Sequence, residues 1–212
     1  MELTKQKNYH QVFDLACQVI EGMDRADQAK KAGGVYRSRE NTEEIELHFF
    51  GEPYTIGFPG VHFSNPEKKV VSLVTRILLL HYLICADGHP FTGKAAAYQD
   101  LPGGLLYAGV FGRRVTSPLA RKFGRSARWF ANIGLQFGGK SAGVGDASFR
   151  LAVLPRVVLQ YVLWEGDDEF PPSVQLLFDT SIMHYLSLED IVVLGQLATG
   201  RLIHLSKASS EG

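Results

Sequence analysis

Two segments of this chain hold histidine where an imidazole can bind a metal or move a proton. They are RILLLHYLICADGHP, Arg76 to Pro90, and TSIMHYLSLED, Thr180 to Asp190. Both contain His-Tyr-Leu, which raises the question of whether His81 and His184 serve one site. His184 stands just before a helix start, where the partial positive charge of the helix end opposes imidazolium. A neutral ring there suits metal or axial ligation, or acid–base work. His81 falls in an apolar helical run, where burial also favours the uncharged ring. Each has a plainer reading: His184 as a loop histidine bonded to backbone, His81 as a core histidine with one satisfied partner. Tyr82, Tyr185 and Trp164 offer aromatic surface for a ligand wall, and Arg121 and Arg125 offer cations for peripheral carboxylates.

Other stretches are weaker. ADGHPFTG, Ala86 to Gly93, approaches the Asp-x-His-x-x-Gly pattern by which methyltransferase-type corrinoid proteins supply an axial histidine. Asp87 and His89 fit it, but Thr92 occupies the glycine position and Gly93 arrives one residue late, so the stretch reads as a turn. WEGDDEFPP gathers Glu165, Asp167, Asp168 and Glu169, without the spacing of a twelve-residue calcium loop. It reads as a solvated hairpin turn between Trp164 and Phe170. Arg113, Arg114, Arg121, Lys122, Arg125 and Arg128 form a basic run with Phe123, Trp129 and Phe130 close by. Such a run cradles phosphates, carboxylates or nucleic acid, or is the wet side of two amphipathic helices. Gly139-Lys140-Ser141 lacks the earlier glycine of a phosphate loop. There is no nucleophile elbow, zincin pair or dinucleotide fingerprint. Asp146, Asp179 and Asp190 are candidates to orient a histidine, a role that only geometry assigns.

Composition narrows the classes. A chain of 212 residues, 45% hydrophobic and 21% charged, buries enough surface for a core without staples. The formal net charge of zero removes whole-protein attraction to nucleic acid or membrane and leaves only local patches. Neither is expected as a partner. Cys17 and Cys85 cannot supply the four thiolates of an iron–sulfur cluster or a Cys-rich zinc site. Both read as small buried hydrophobes in a reducing cell, with a disulfide between them as the alternative. The N-terminus lacks the order of a secretion signal, and the run VVSLVTRILLLHYLIC is polar-interrupted and short for a membrane span. A cytoplasmic location is expected.

Positioning these residues takes an α+β fold, an antiparallel sheet with helices packed on it. The expected organisation is a single domain over 1–205 with a disordered tail at 206–212. The pattern predicts a helix over 5–32, with Val12, Phe13, Ala16, Cys17 and Ile20 on one stripe, closed by Gly33 and Gly34. EIELHFFGEPYTIGFPG predicts a hairpin with a Gly-Glu-Pro turn. Asn65 and Pro66 predict the start of a helix that runs through Cys85. On it Val70, Val74, Ile77, His81 and Ile84 fall within about 40° of one direction, and the second half is apolar all round. Ser117-Pro118 and SARWFANIGLQFGG predict two abutting helices. Strands follow at ASFRLAVLP, RVVLQYVLW and SVQLLFDTS, the middle one apolar on both faces and so central. Ser187 and Asp190 have capping-box spacing for a last helix.

The blocks LLLHYLICADGHPFTG, DLPGGLLY, GDASFRLAVLPR, VLWEGDDEFPP and LFDTSIMHYLSLED together resemble domain-of-unknown-function family 3786, of anaerobic bacteria and archaea, from about residue 8 to 203. The resemblance implies a setting among large anaerobic cofactors. Some similar proteins carry an added iron–sulfur domain like that of the corrinoid/iron–sulfur protein, whose cysteines this chain lacks, so no cluster is expected. The first functional expectation is therefore a binding or accessory protein for a corrinoid (cobalamin) or another tetrapyrrole such as heme, with His184 or His81 as axial ligand. The alternative is a cofactor-free interaction module for a redox or methyl-transfer protein, through the basic helices or the acidic turn. A third is a cofactor-free enzyme with a histidine oriented by an aspartate.

Overall fold

The computed structural model describes residues 2–208. The chain divides into two compact units, neither continuous in sequence. The first takes the chain up to Pro90 together with Val153–Arg156 and His184–Leu186; the second takes Phe91–Ala152, Val157–Met183 and the chain from Ser187.

In the first unit the expected long helix is two helices, α1 (Glu2–Glu21) and α2 (Arg25–Ala32). The break comes at Asp24, whose side chain caps α2 by accepting from Asp27 N at 3.0 Å. Gly33 closes α2 at φ 72°, in the left-handed conformation that glycine adopts without strain. Four antiparallel strands follow in spatial order: β1 (Val35–Arg39), β2 (Thr42–Phe49), β3 (Glu52–Phe58) and β4 (His62–Ser64). Ile45, Leu47 and Phe49 alternate into the core, as their spacing predicts. The hairpin turn lies one step earlier than expected, at Phe50 and Gly51, both at positive φ, with Glu52 and Pro53 already in β3. Helix α3 (Leu73–Cys85) starts at Ser72, not Asn65. Asn65 instead ties a loop through Lys69 N at 3.1 Å, and Lys68 at φ 52° stops any helix from passing. Val70, placed on the core stripe by its spacing, is 95% exposed in that loop. From Leu78 to Leu83 α3 is apolar and buried on nearly every side, while His81 is half-buried. Cys85 is exposed at its last turn and Cys17 is half-buried, which corrects their reading as buried; neither is in a disulfide.

The second unit holds β5 (Ala95–Ala97), α4 (Ala108–Phe111), α5 (Ser117–Phe123), α6 (Ala127–Gln136), β6 (Lys140–Ser141), β7 (Ala147–Leu154), β8 (Val157–Trp164), β9 (Ser173–Asp179) and α7 (Leu188–Ala208). The last two residues of β7 belong to the first unit. The five strands run β5-β9-β8-β7-β6, so the strand apolar on both faces is the middle one. Phe149 and Tyr161 stack at 5.1 Å, and Phe130 of α6 packs on Phe149 at 5.0 Å. Between α4 and α5 one turn, Gly112–Thr116, widens to π geometry, and Thr199 of α7 donates its hydroxyl to the Val115 carbonyl at 3.1 Å. Ser187 caps Asp190 N at 3.1 Å at the start of α7. That helix runs through Ala208, and the rest of the expected tail lies outside the described residues. The α+β class holds, with two antiparallel sheets in place of one. Among the described residues no helix is long and apolar enough to cross a membrane.

Candidate functional site

The site grows from the end of α3. A helix leaves its last carbonyls unsatisfied. Here the buried amide of Gln28, on α2, donates to Leu83 O and, at 2.8 Å, to Ala86 O. That fixes the chain at the residue before Asp87. Asp87 then folds a short turn, one oxygen accepting from His89 N at 2.8 Å, while Gly88 takes φ 84°.

The other Asp87 oxygen lies 2.6 Å from His184 Nδ1. An ionised carboxylate only accepts, so Nδ1 carries the proton and the lone pair of the neutral ring sits on Nε2. That hydrogen bond from His184, with the one from His89 N, holds the Asp87 carboxyl below its usual range. The His89 ring stacks on the His184 ring, centroids 3.9 Å apart and planes 18° apart. His89 Nδ1 is 2.7 Å from the Pro90 carbonyl, which also accepts only, so His89 takes the same tautomer. Two parallel imidazoles thus spend Nδ1 on orientation and keep Nε2 for chemistry. The His184 and Asp87 side chains are 40% and 52% exposed, open to an incoming ligand.

Two tyrosines support the pair. Tyr185 donates its hydroxyl to the His89 carbonyl, and its ring stacks on Tyr82 at 5.8 Å. Tyr82 donates to Ala32 O at 2.6 Å and accepts from Arg156 N at 3.1 Å. Both rings are fully buried, and burial pushes both hydroxyls up, so they stay protonated.

Of the residues singled out by sequence, the structure brings together His184, Tyr185 and Tyr82. The two His-Tyr-Leu segments do meet, through Tyr82 and Tyr185; His81 sits one position earlier on α3, half-buried. Trp164, Arg121 and Arg125 belong to the second unit, exposed at the end of β8, on α5 and just after it. Asp87 and His89 form the turn their sequence predicts, and Asp87 in it orients His184. The three aspartates weighed as orienters of a histidine are engaged elsewhere. Asp146 accepts from Glu165 N at 2.7 Å, Asp179 from the Thr92, Gly93 and Ser181 amides, and Asp190 from Ser187. The acidic loop is a turn about Asp167, which accepts from Glu169 N and Phe170 N. Among the described residues no three His, Cys, Asp or Glu side chains group so as to hold a bare metal ion.

The fold and this histidine pair define an α+β protein with an oriented, solvent-facing imidazole. A family described as a domain of unknown function (DUF3786) matches residues 24–201, and the chain belongs to it. No curated protein and no solved structure matches the chain.

Proposed function

We propose that the chain binds a metal-centred macrocycle, a corrinoid or another tetrapyrrole such as heme, with Nε2 of His184 as axial ligand. The observation that carries this is the 2.6 Å contact between Asp87 and His184 Nδ1. A carboxylate on the far nitrogen fixes the ring of a ligating histidine and raises its basicity. A single oriented imidazole suits a metal whose equatorial positions are already filled. The anaerobic, corrinoid-linked setting implied by the family resemblance supports the same ligand class. The test is anaerobic titration with hydroxocobalamin and, separately, with hemin. A saturable shift of the visible bands, lost in His184→Ala and restored by added imidazole, is expected. Unchanged spectra with both probes would end this reading.

The same contact favours a second reading, in which Nε2 of His184 accepts a proton from a bound substrate. Loss of a turnover in a folded His184→Ala variant that binds neither probe in its wild-type form would favour it.

A further inference from the structure

From Leu101 to Gly145 the chain carries seven cations and no acid, in a molecule whose formal charge is zero. At the start of that stretch Leu105, Leu106 and Tyr107 are 74%, 86% and 51% exposed. They do not hang on a loose loop. Leu101 and Tyr98 are buried, Tyr98 lies flat on Phe111 with centroids 4.4 Å apart, and its hydroxyl donates to Leu188 O at 3.3 Å. A side chain at Gly104 would overlap the Tyr98 carbonyl, so the turn is close-packed from behind. The fold therefore presents three consecutive apolar side chains outward.

Cations follow them along the chain. The Arg113 guanidinium reaches back over Gly109, 3.6 Å from where a β-carbon there would sit, which aims it toward the apolar step. Arg114 and Arg121 are exposed further along the same helical stretch. None of the three pairs with an acid among the described residues. The acidic turn meets the stretch at Gly124, three residues past Arg121, where Gly166 N donates to Gly124 O at 3.0 Å. Arg113 and Arg114 lie ten residues or more before that contact.

We propose that this face of the second unit binds peripherally to an anionic phospholipid surface. Leu105, Leu106 and Tyr107 enter the boundary between headgroups and acyl chains, and the three arginines hold lipid phosphates. Apolar insertion and basic attraction are the two signals that together give stable surface attachment. A nucleic acid would use the cations and leave the leucines without a role.

Co-sedimentation of the full chain with vesicles of phosphatidylcholine, alone and mixed with phosphatidylglycerol, tests this. Binding is expected only to the mixed vesicles and is expected to weaken with added salt. The triple variant Arg113→Glu, Arg114→Glu, Arg121→Glu should abolish it. Leu105→Ser with Leu106→Ser should weaken it about tenfold or more, as expected for loss of buried apolar area, with the circular dichroism spectrum retained in each. No pelleting with mixed vesicles at low salt overturns the proposal. So does binding indifferent to the leucine pair, or equal retention on a short DNA duplex, which would assign the cations to a polyanion.

Discussion

A histidine whose Nδ1 is held by a carboxylate loses rotational freedom and keeps one tautomer. Asp87 does this for His184, so losing it should weaken both the ligand's hold and, more modestly, the fold. Asp87→Asn should weaken binding of the spectral probe by about 10–100-fold, the usual range for a lost outer partner of a ligating histidine. The native carboxyl lies below its ordinary value of 3.8. Its contribution to stability is thus complete above that value and is lost as pH falls through the lower, folded one. The difference in urea midpoint between wild type and Asp87→Asn should accordingly shrink on going from neutral pH to about pH 3. At Tyr161 the expectation has the opposite sign. Its hydroxyl is wholly buried with no hydrogen-bond partner among the described residues, so Tyr161→Phe should raise stability by about 1 kcal/mol in urea melts. At this scale the spacing puts His184 just before the cap of the last helix and beside Tyr185; in the fold it is the last residue of a 3-10 turn, Thr180–His184, ahead of α7. It did not show Asp87 as the partner, because Asp-Gly-His is what any tight turn looks like until the distant segment is folded against it.

Among elements, Gln28 joins α2 to the open carbonyl end of α3 and so sets where the Asp87 turn begins. Gln28→Leu keeps the volume but leaves Leu83 O and Ala86 O without that donor. It should cost about 1–3 kcal/mol by thermal or urea unfolding. Crosspeaks of His89 and His184 should shift too, since the turn they share is freed at its root. Helices and inner strands were legible because each carries at least one apolar face, and β8 and the second half of α3 carry more. β1 was not: Val35–Arg39 is exposed almost throughout, so its pairing with β2, Val35 opposite Glu46, leaves no alternation to read. The start of α3 was misplaced because Asn65-Pro66 is a good local opening, overridden by Lys68 in a left-handed conformation. The widened turn at Gly112–Thr116 has no composition signal either; Thr199, far along the chain, donates to one of its carbonyls.

For the whole molecule, zero net charge conceals a division of sign. Seven cations fall in the acid-free stretch, leaving fifteen against all 22 acids elsewhere. The overall count was legible at once, whereas its meaning depended on which leucines lie outward. The two units also borrow from one another's stretches of chain. Val153 O accepts from Phe50 N at 2.9 Å, and Arg156 N serves Tyr82, both inside the first unit. A fragment ending at Pro90 lacks these and Tyr185, so it should fail to give a dispersed amide spectrum, where the full chain gives one.

The same borrowing sets an order on the ribosome. Asp87 and His89 emerge early, but the imidazole they hold is ninety-odd codons downstream, and nothing made before Tyr185 can close the tyrosine stack. The nascent chain must therefore pass most of its length out of the tunnel with the first unit still open. A product that ends between Arg156 and His184 would carry every other part of that unit and no working histidine pair. Only a polypeptide extended past Leu186 can present His184 in its unit, which makes the site a late product of synthesis.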